Sequence, residues 1–361
     1  MFDDNLSRRN FLAGVAVTGA AATLPDNDPV VVANYRIVEN KPSGAPIKIV
    51  CAEKLAPEEI EQIRRAGKNI ELKMVPSRAE LRNHVAEAEV ILGVVDKEAM
   101  AAAKNVKWVQ TWAAGVETLP KELMEHPSTL TNMQRVFAPV IAETAIGLLL
   151  SLTRGLTQTT IPAFKERKWK AADVPLVDLY RKTIGIVGMG GIGTETARRL
   201  YYGFEMRVLA TDAKPLPKPD FVAELHDPDW LIEMVPQVDV LMSAAPHTKI
   251  TNKMFNDAVF SKMKPSAYFL NVSRGGLVDQ DALARALKEK RIAGAGLDAT
   301  TPEPLPPESP LWDCPNLVIT PHNSGMAPMR QVRLVALVAE NVRRYSHGLP
   351  LLNVVDKARG Y

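Results

Sequence analysis

Cysteine is almost missing from this chain: Cys51 and Cys314 are the only two, far apart and outside any CxxC spacing. A disulfide framework and a thiolate zinc site are thereby excluded. Histidine is equally sparse, with six residues and no HExxH-type pattern, so the sequence implies no metal site. Charge of one sign is missing too. Lys and Arg number 44 against 41 Asp and Glu, a net of +3, and no basic stripe interleaved with aromatics points to nucleic acid. Neither apolar stretch, 13–24 or 146–152, is a membrane span: the first is short and rich in Gly, Ala and Thr, and Glu143 and Arg154 bound the second. Internal repeats and low-complexity tracts are absent. What remains is 361 residues, 46% apolar and 24% charged, enough for two domains with separate cores.

The first residues differ from the rest. Ser7-Arg8-Arg9-Asn10-Phe11-Leu12 precedes the small-residue apolar run, Ala20-Ala21-Ala22 offers a small-x-small cleavage site, and 25–46 is a polar, Pro-containing linker. A charged start, a short apolar stretch and small residues form the tripartite export pattern. The Arg8-Arg9 pair before Phe11-Leu12 resembles a bacterial twin-arginine signal. The resemblance implies that the precursor meets the twin-arginine export machinery and that the mature chain begins near Thr23 in the periplasm; an unused segment would leave it cytoplasmic.

From Ile47 onward strands and helices alternate. Residues 47–51, 70–75, 90–95 and 108–111 read as strands and 57–66 as a helix, which makes one small α/β domain with a parallel sheet. A long helix over 139–154 follows, with Pro139 suited to its first turn. Residues 155–181 have weak periodicity and mixed charge, as an excursion from the surface would. A second βαβ series then reads as strands at 183–187, 207–211, 238–243, 268–272, 295–298 and 317–320, and a last helix over 329–345 closes the chain and is expected to return to the first domain.

The first strand of the second series runs into Gly188-Met189-Gly190-Gly191-Ile192-Gly193 and then a helical stretch. A lone GxGxxG is a weak signal, but strand before and helix after give it a mechanism. Gly188 permits a tight turn, Gly190 lets the backbone approach a pyrophosphate, Gly193 allows close helix–sheet packing, and the helix N-terminus offers N–H groups to the phosphates. About 20 residues on, Asp212 ends the next strand, where an acid accepts ribose hydroxyls and repels a 2′-phosphate. The reading is NAD rather than NADP. Ligands of open parallel sheets sit beyond the carboxyl ends of the strands, and three charged residues stand there: Arg274, Glu303 and His322. Each alone has a bland reading on a loop; together they point to chemistry.

These stretches, 188–193 with 271–279 (NVSRGGLVD), 296–305 (GLDATTPEPL) and 320–325 (TPHNSG), resemble the D-isomer-specific 2-hydroxyacid dehydrogenase family. The resemblance runs from Ile47 to the end. It implies a Rossmann doubly wound sheet (143–320) inserted into a discontinuous flavodoxin-like substrate domain (47–142 with 321–361), with hinges near Ala142 and Pro321. It also implies that 155–181 is the family's dimer arm, hence a homodimer. Carried over by position, Arg274, Glu303 and His322 look like the catalytic trio and Asp298 like the holder of the nicotinamide amide. The loop 113–117 looks like the substrate-carboxylate cradle, through the N–H groups of Ala114 and Gly115. Pro246-His247-Thr248 looks like the loop beside the nicotinamide ribose, and Ser273 is a further cofactor-binding residue that the resemblance implies.

The chemistry fits those residue types. A guanidinium fork holds a carboxylate, an imidazolium supplies the proton that alkoxide character demands, and a carboxylate on the other ring nitrogen fixes the tautomer. The substrate implied is a small D-2-hydroxy or 2-keto acid. Val94, Val95, Trp112, Trp312 and Met326 are candidate pocket residues, each as readily packing. Formate-oxidising members carry Gln where this chain has Glu303, which counts against that reaction, while phosphite oxidation stays open. A non-catalytic alternative is a dinucleotide-sensing corepressor of the same fold, which an exported chain could not be at chromatin.

Overall fold

A computed structural model describes residues 45–172 and 174–361; the expected export segment falls outside them. The described residues divide into two units, 45–114 with Thr118–Met133 and Gln331–Ala358, and Gly115–Glu117 with Gln134–Arg330 and Arg359–Tyr361.

The first unit carries β1 (Ile47–Cys51), β2 (Ile70–Met74), β3 (Val90–Leu92), β4 (Trp108–Gln110) and β5 (Thr129–Thr131), all parallel, in the order β2-β1-β3-β4-β5. That is the flavodoxin-like order. β3 stops three residues short of the expected end because Gly93, at φ 129°, turns the chain. The helix Pro57–Arg65 follows ordinary end chemistry, with Pro in the first turn, Glu58 and Glu59 near the N-terminus and Arg64 and Arg65 near the C-terminus. Cys51 ends β1 fully enclosed, and burial pushes its thiol up to about 12, which makes it an inert packing group.

The last helix, Met329–Ser346, does return to the first unit, and a buried polar network receives it. Asn341 Nδ2 donates to Gln110 Oε1 at 3.0 Å, Thr131 Oγ1 donates to the same oxygen at 2.8 Å, and the Trp108 indole donates to Thr131 Oγ1 at 2.8 Å. Tyr345 stacks on Trp108 with ring centroids 5.2 Å apart. Every polar member has a partner, so the network specifies where the returning helix docks instead of penalising its burial.

The second unit adds β6 (Thr183–Val187), β7 (Arg207–Thr211), β8 (Glu224–His226), β9 (Val240–Ser243), β10 (Tyr268–Asn271), β11 (Gly294–Leu297) and β12 (Leu317–Ile319). They form one parallel sheet, β12-β11-β10-β9-β6-β7-β8. Renumbered within the unit this is the doubly wound 3-2-1-4-5-6 order with one strand more. Phe255, Phe260 and Phe269 fill one face of the sheet. On the other, the helix Ala138–Thr153 lays down Leu148, Leu149 and Leu152. The whole helix falls in this unit, and it packs so closely that a Cβ at Gly296 would sit 3.0 Å from Leu148 Cβ. The division therefore falls at Gln134 and Arg330, against the expected 143 and 320. Gly155, at φ 62°, ends that helix, and the segment beyond it leaves Phe164 82% and Trp169 fully exposed.

Candidate active site

The Gly-rich turn stands at the end of β6, between β7 and β9, where the strand order of the sheet reverses. Gly188 has φ 99°, and a Cβ there would lie 2.7 Å from the Ala245 nitrogen. A Cβ at Gly193 would strike the Gly188 carbonyl oxygen. Gly190, by contrast, has nothing within 4 Å of its Cβ position, so its outer face is open. The helix Gly191–Phe204 begins at once, with Gly191 and Ile192 in its first turn and Gly190 at its N-cap. One turn, one packing contact and one open face are what a pyrophosphate cradle requires. Asp212 follows β7. Its Oδ2 accepts from the Met189 N–H at 2.7 Å and its Oδ1 from the Lys214 N–H at 2.8 Å, which aims the carboxylate at the rim of the turn.

Beyond β9, Pro246 and Thr248 form a tight loop closed by Thr251, whose hydroxyl donates to the Pro246 carbonyl at 2.7 Å. Beyond β10, Asn271 organises the next turn. Its Oδ1 accepts from Ser273 Oγ at 2.9 Å, and its Nδ2 donates to the Arg274 carbonyl at 2.9 Å. Ser273 is buried against Ser243, so it is packed into the turn. Gly275 permits this turn to press on the loop after β11, since a Cβ there would overlap the Thr300 carbonyl.

Arg274 is fixed on two sides. Its Nη1 donates to the Ser273 carbonyl at 2.9 Å, and its Nε donates to Glu117 Oε1. Burial alone would push the Glu117 carboxyl up, but the Arg274 guanidinium outweighs it by hydrogen bond and charge and holds it below the usual carboxylate range. Sequence reasoning placed Glu117 in the cradle loop without foreseeing this pairing across 157 positions. Ala114 closes the loop of the first unit, where Asn132 Nδ2 donates to its carbonyl at 2.6 Å, while Gly115 through Glu117 belong with the second.

His322 and Glu303 meet. Glu303 Oε2 lies 2.7 Å from His322 Nδ1, and Glu303 Oε1 accepts the Thr300 N–H at 3.0 Å. The imidazole is thus held at one nitrogen and free to act through the other. His322 takes φ 50°, an uncommon backbone for a non-glycine residue. Asp298 accounts for it. Expected against the nicotinamide amide, its carboxylate is buried and accepts from Thr320 Oγ1 at 2.7 Å, the Asn323 N–H at 3.1 Å and the Ser324 N–H and hydroxyl. It pins the loop that carries His322.

Of the candidate pocket residues, Val95 is core, and the Trp312 indole donates to the Pro306 carbonyl at 2.8 Å with the ring 55% exposed. Met326 is exposed as well. Among the described residues, no three His, Cys, Asp or Glu converge as metal ligands.

A family model described as the D-isomer specific 2-hydroxyacid dehydrogenase NAD binding domain matches residues 146–324. A glyoxylate reductase of Korarchaeum cryptofilum is 33% identical over 297 residues, 78% of this chain and 87% of that protein. The chain belongs to the D-isomer-specific 2-hydroxyacid dehydrogenase family. The human glyoxylate reductase/hydroxypyruvate reductase is 36% identical, over 74% of this chain and 83% of its own. A solved NADPH-dependent glyoxylate/hydroxypyruvate reductase of Sinorhizobium meliloti, in complex with citrate, superposes with a TM-score of 0.69 at 27% identity, covering 86% of this chain and 98% of that one. A twin-arginine translocation signal model matches residues 5–25, so the N-terminus carries a signal of that type.

Proposed function

We propose that this oxidoreductase moves a hydride between NAD(H) and a small D-2-hydroxy or 2-keto acid, with His322 as proton donor and acceptor. The observation that carries the reading is the His322–Glu303 pair at 2.7 Å, on the same strand-end edge as Arg274. When bound, the dinucleotide supplies or accepts the hydride. Gly190 and the N-terminus of the helix Gly191–Phe204 would hold its pyrophosphate, and Asp212 its adenosine ribose. In reduction, Arg274 holds the substrate carboxylate, with the N–H groups of Ala114 and Gly115 as further donors. The His322 imidazolium then protonates the carbonyl oxygen as alkoxide character develops. Glu303, bonded to the other ring nitrogen, keeps the imidazole in place and balances its charge. In oxidation the neutral ring takes the proton back.

Asp212 favours NADH over NADPH by charge, although the Sinorhizobium relative is NADPH-dependent by name. The apolar exposed arm, with Phe164 and Trp169, supports a homodimer. The signal at 5–25 supports export to the periplasm by a route that moves folded proteins, so that cofactor could travel bound. The test is a keto-acid panel of glyoxylate, hydroxypyruvate and pyruvate with NADH and NADPH, on protein starting near Ala45. Turnover of none of them overturns the reading, and a preference for NADPH overturns the cofactor assignment.

A further inference from the structure

We infer that Glu117 sets the charge selectivity of the carboxylate clamp, admitting substrates with one negative charge and rejecting those with a second; this rests on the reading of Arg274 as that clamp. Arg274 has few ways to meet an anion. Its Nη1 is given to the Ser273 carbonyl, and its Nε to Glu117 Oε1. The other Glu117 oxygen and Arg274 Nη2 both crowd the Cβ position of Gly115, so the Glu117 carboxylate spans the Nε/Nη2 side of the guanidinium. That is the side on which a carboxylate binds bidentately. Glu117 therefore does two things. It fixes the orientation of Arg274, and it cancels the cation's unit charge at the place where the substrate anion arrives.

A clamp of net charge zero still donates hydrogen bonds to one carboxylate, through the Nη2 hydrogen that points away from Glu117 and the neighbouring Gly115 N–H. It offers no surplus positive charge to a second anionic group, which instead meets the Glu117 carboxylate. Removing that charge at about 6 Å, with an effective dielectric near 20, is worth roughly two powers of ten. Solvent reaches both side chains, which are 35% and 33% exposed, and screening reduces the expected effect to about one power of ten. Glu117 is a positioning residue with a charge function, and both aspects are separable. Glu117→Gln keeps an oxygen acceptor for Arg274 Nε and removes the charge; Glu117→Asp keeps the charge and shortens the reach.

The probes are oxamate and oxalate, which have nearly the same shape and carry one and two negative charges. Their dissociation constants are measured by calorimetry on wild type and both variants, with and without dinucleotide, and kcat/KM is measured for glyoxylate and oxaloacetate. We expect wild type to prefer oxamate, Glu117→Gln to move the oxamate-to-oxalate ratio toward oxalate about tenfold, and Glu117→Asp to keep the wild-type ratio. The keto acids should follow the same order. Equal changes for both anions in Glu117→Gln would mean that Glu117 only holds Arg274 in place, and an unchanged ratio would mean that its charge is not felt; either overturns the inference. Failure of oxamate to bind wild type also overturns it. Anion binding with no keto-acid turnover would sink the reductase reading alone and leave this inference to the ratio.

Discussion

The two parallel sheets each have a point where strand order reverses, and the molecule treats the two in opposite ways. In the second unit the reversal between β7 and β9 is lined by glycine, and the face of Gly190 is left open. In the first unit the equivalent reversal lies between β2 and β3, past the end of β1. There Glu53 fills the crevice. Its Oε1 accepts the Val94 N–H and an Arg78 guanidinium hydrogen, each at 3.1 Å, and its side chain is only 12% exposed. A Cβ on Gly93 would sit 2.9 Å from that same oxygen. Crevices of this kind are where open α/β sheets bind ligands, yet topology only offers the place. Glycine leaves backbone donors available to a phosphate, whereas an acid takes the donors and repels one.

The largest way to break this contrast is to remove the chemistry from the second unit and leave both sheets standing. His322→Ala should lower kcat by about 10²–10⁴-fold, the usual contribution of a positioned general acid, while NADH affinity measured by fluorescence titration stays near wild type. Turnover close to wild type would mean that the proton has another source. Closing the second crevice is the next step down. Gly193→Ala drives a Cβ into the Gly188 carbonyl, which backbone cannot yield cheaply. Overpacking of this kind costs about 1–3 kcal/mol, so NADH binding should weaken about 10–100-fold. A variant that binds NADH normally would show that the turn is not the cradle.

Asp212 sharpens the contrast instead of breaking it, because it is an acid at the rim of an open crevice, not a plug within one. Its two backbone bonds, from Met189 and Lys214, hold the carboxylate at the rim of the turn, where the proposed function places the ribose hydroxyls. Asp212→Ala should narrow the ratio of kcat/KM for NADH over NADPH by about tenfold, the loss of one charged hydrogen-bond partner and one repulsion. An unchanged ratio would assign cofactor choice to other residues.

What the amino-acid sequence made legible was whatever is local. The turn 188–193, the strand and helix around it, and the order of Arg274, Glu303 and His322 are each encoded in a handful of adjacent residues. Two short, polar strands were not. β5 and β8 are three residues each, Thr-Leu-Thr and Glu-Leu-His, too brief and too polar to show a period, and they exist because a neighbouring strand supplies the ladder. Non-local pairings were hidden for the same reason. Nothing near Glu117 says that its partner stands at 274, and nothing near Asp298 says that its carboxylate accepts from the loop 320–324. A buried acid attracts every donor within reach, so its partners are decided by packing rather than by adjacent residues.

The smallest expected effect tests the closed crevice. Glu53→Ala removes the acceptor of the Val94 N–H and the partner of Arg78, and it widens the space beside Gly93. Arg78 is mostly exposed, so its loss of a partner costs little, at most about 1 kcal/mol. The Val94 N–H matters more, because a half-buried donor left without an acceptor costs about 1–2 kcal/mol unless water enters. The denaturation midpoint should therefore fall by an amount equivalent to about 1–2 kcal/mol, with kcat nearly unchanged. Dinucleotide stoichiometry should stay at one per chain, because the first crevice has no GxGxxG turn running straight into a helix N-terminus as at Gly188–Gly193. A second NADH bound to Glu53→Ala would show that the acid alone keeps the first sheet empty, and that the glycine turn is less decisive than its geometry implies.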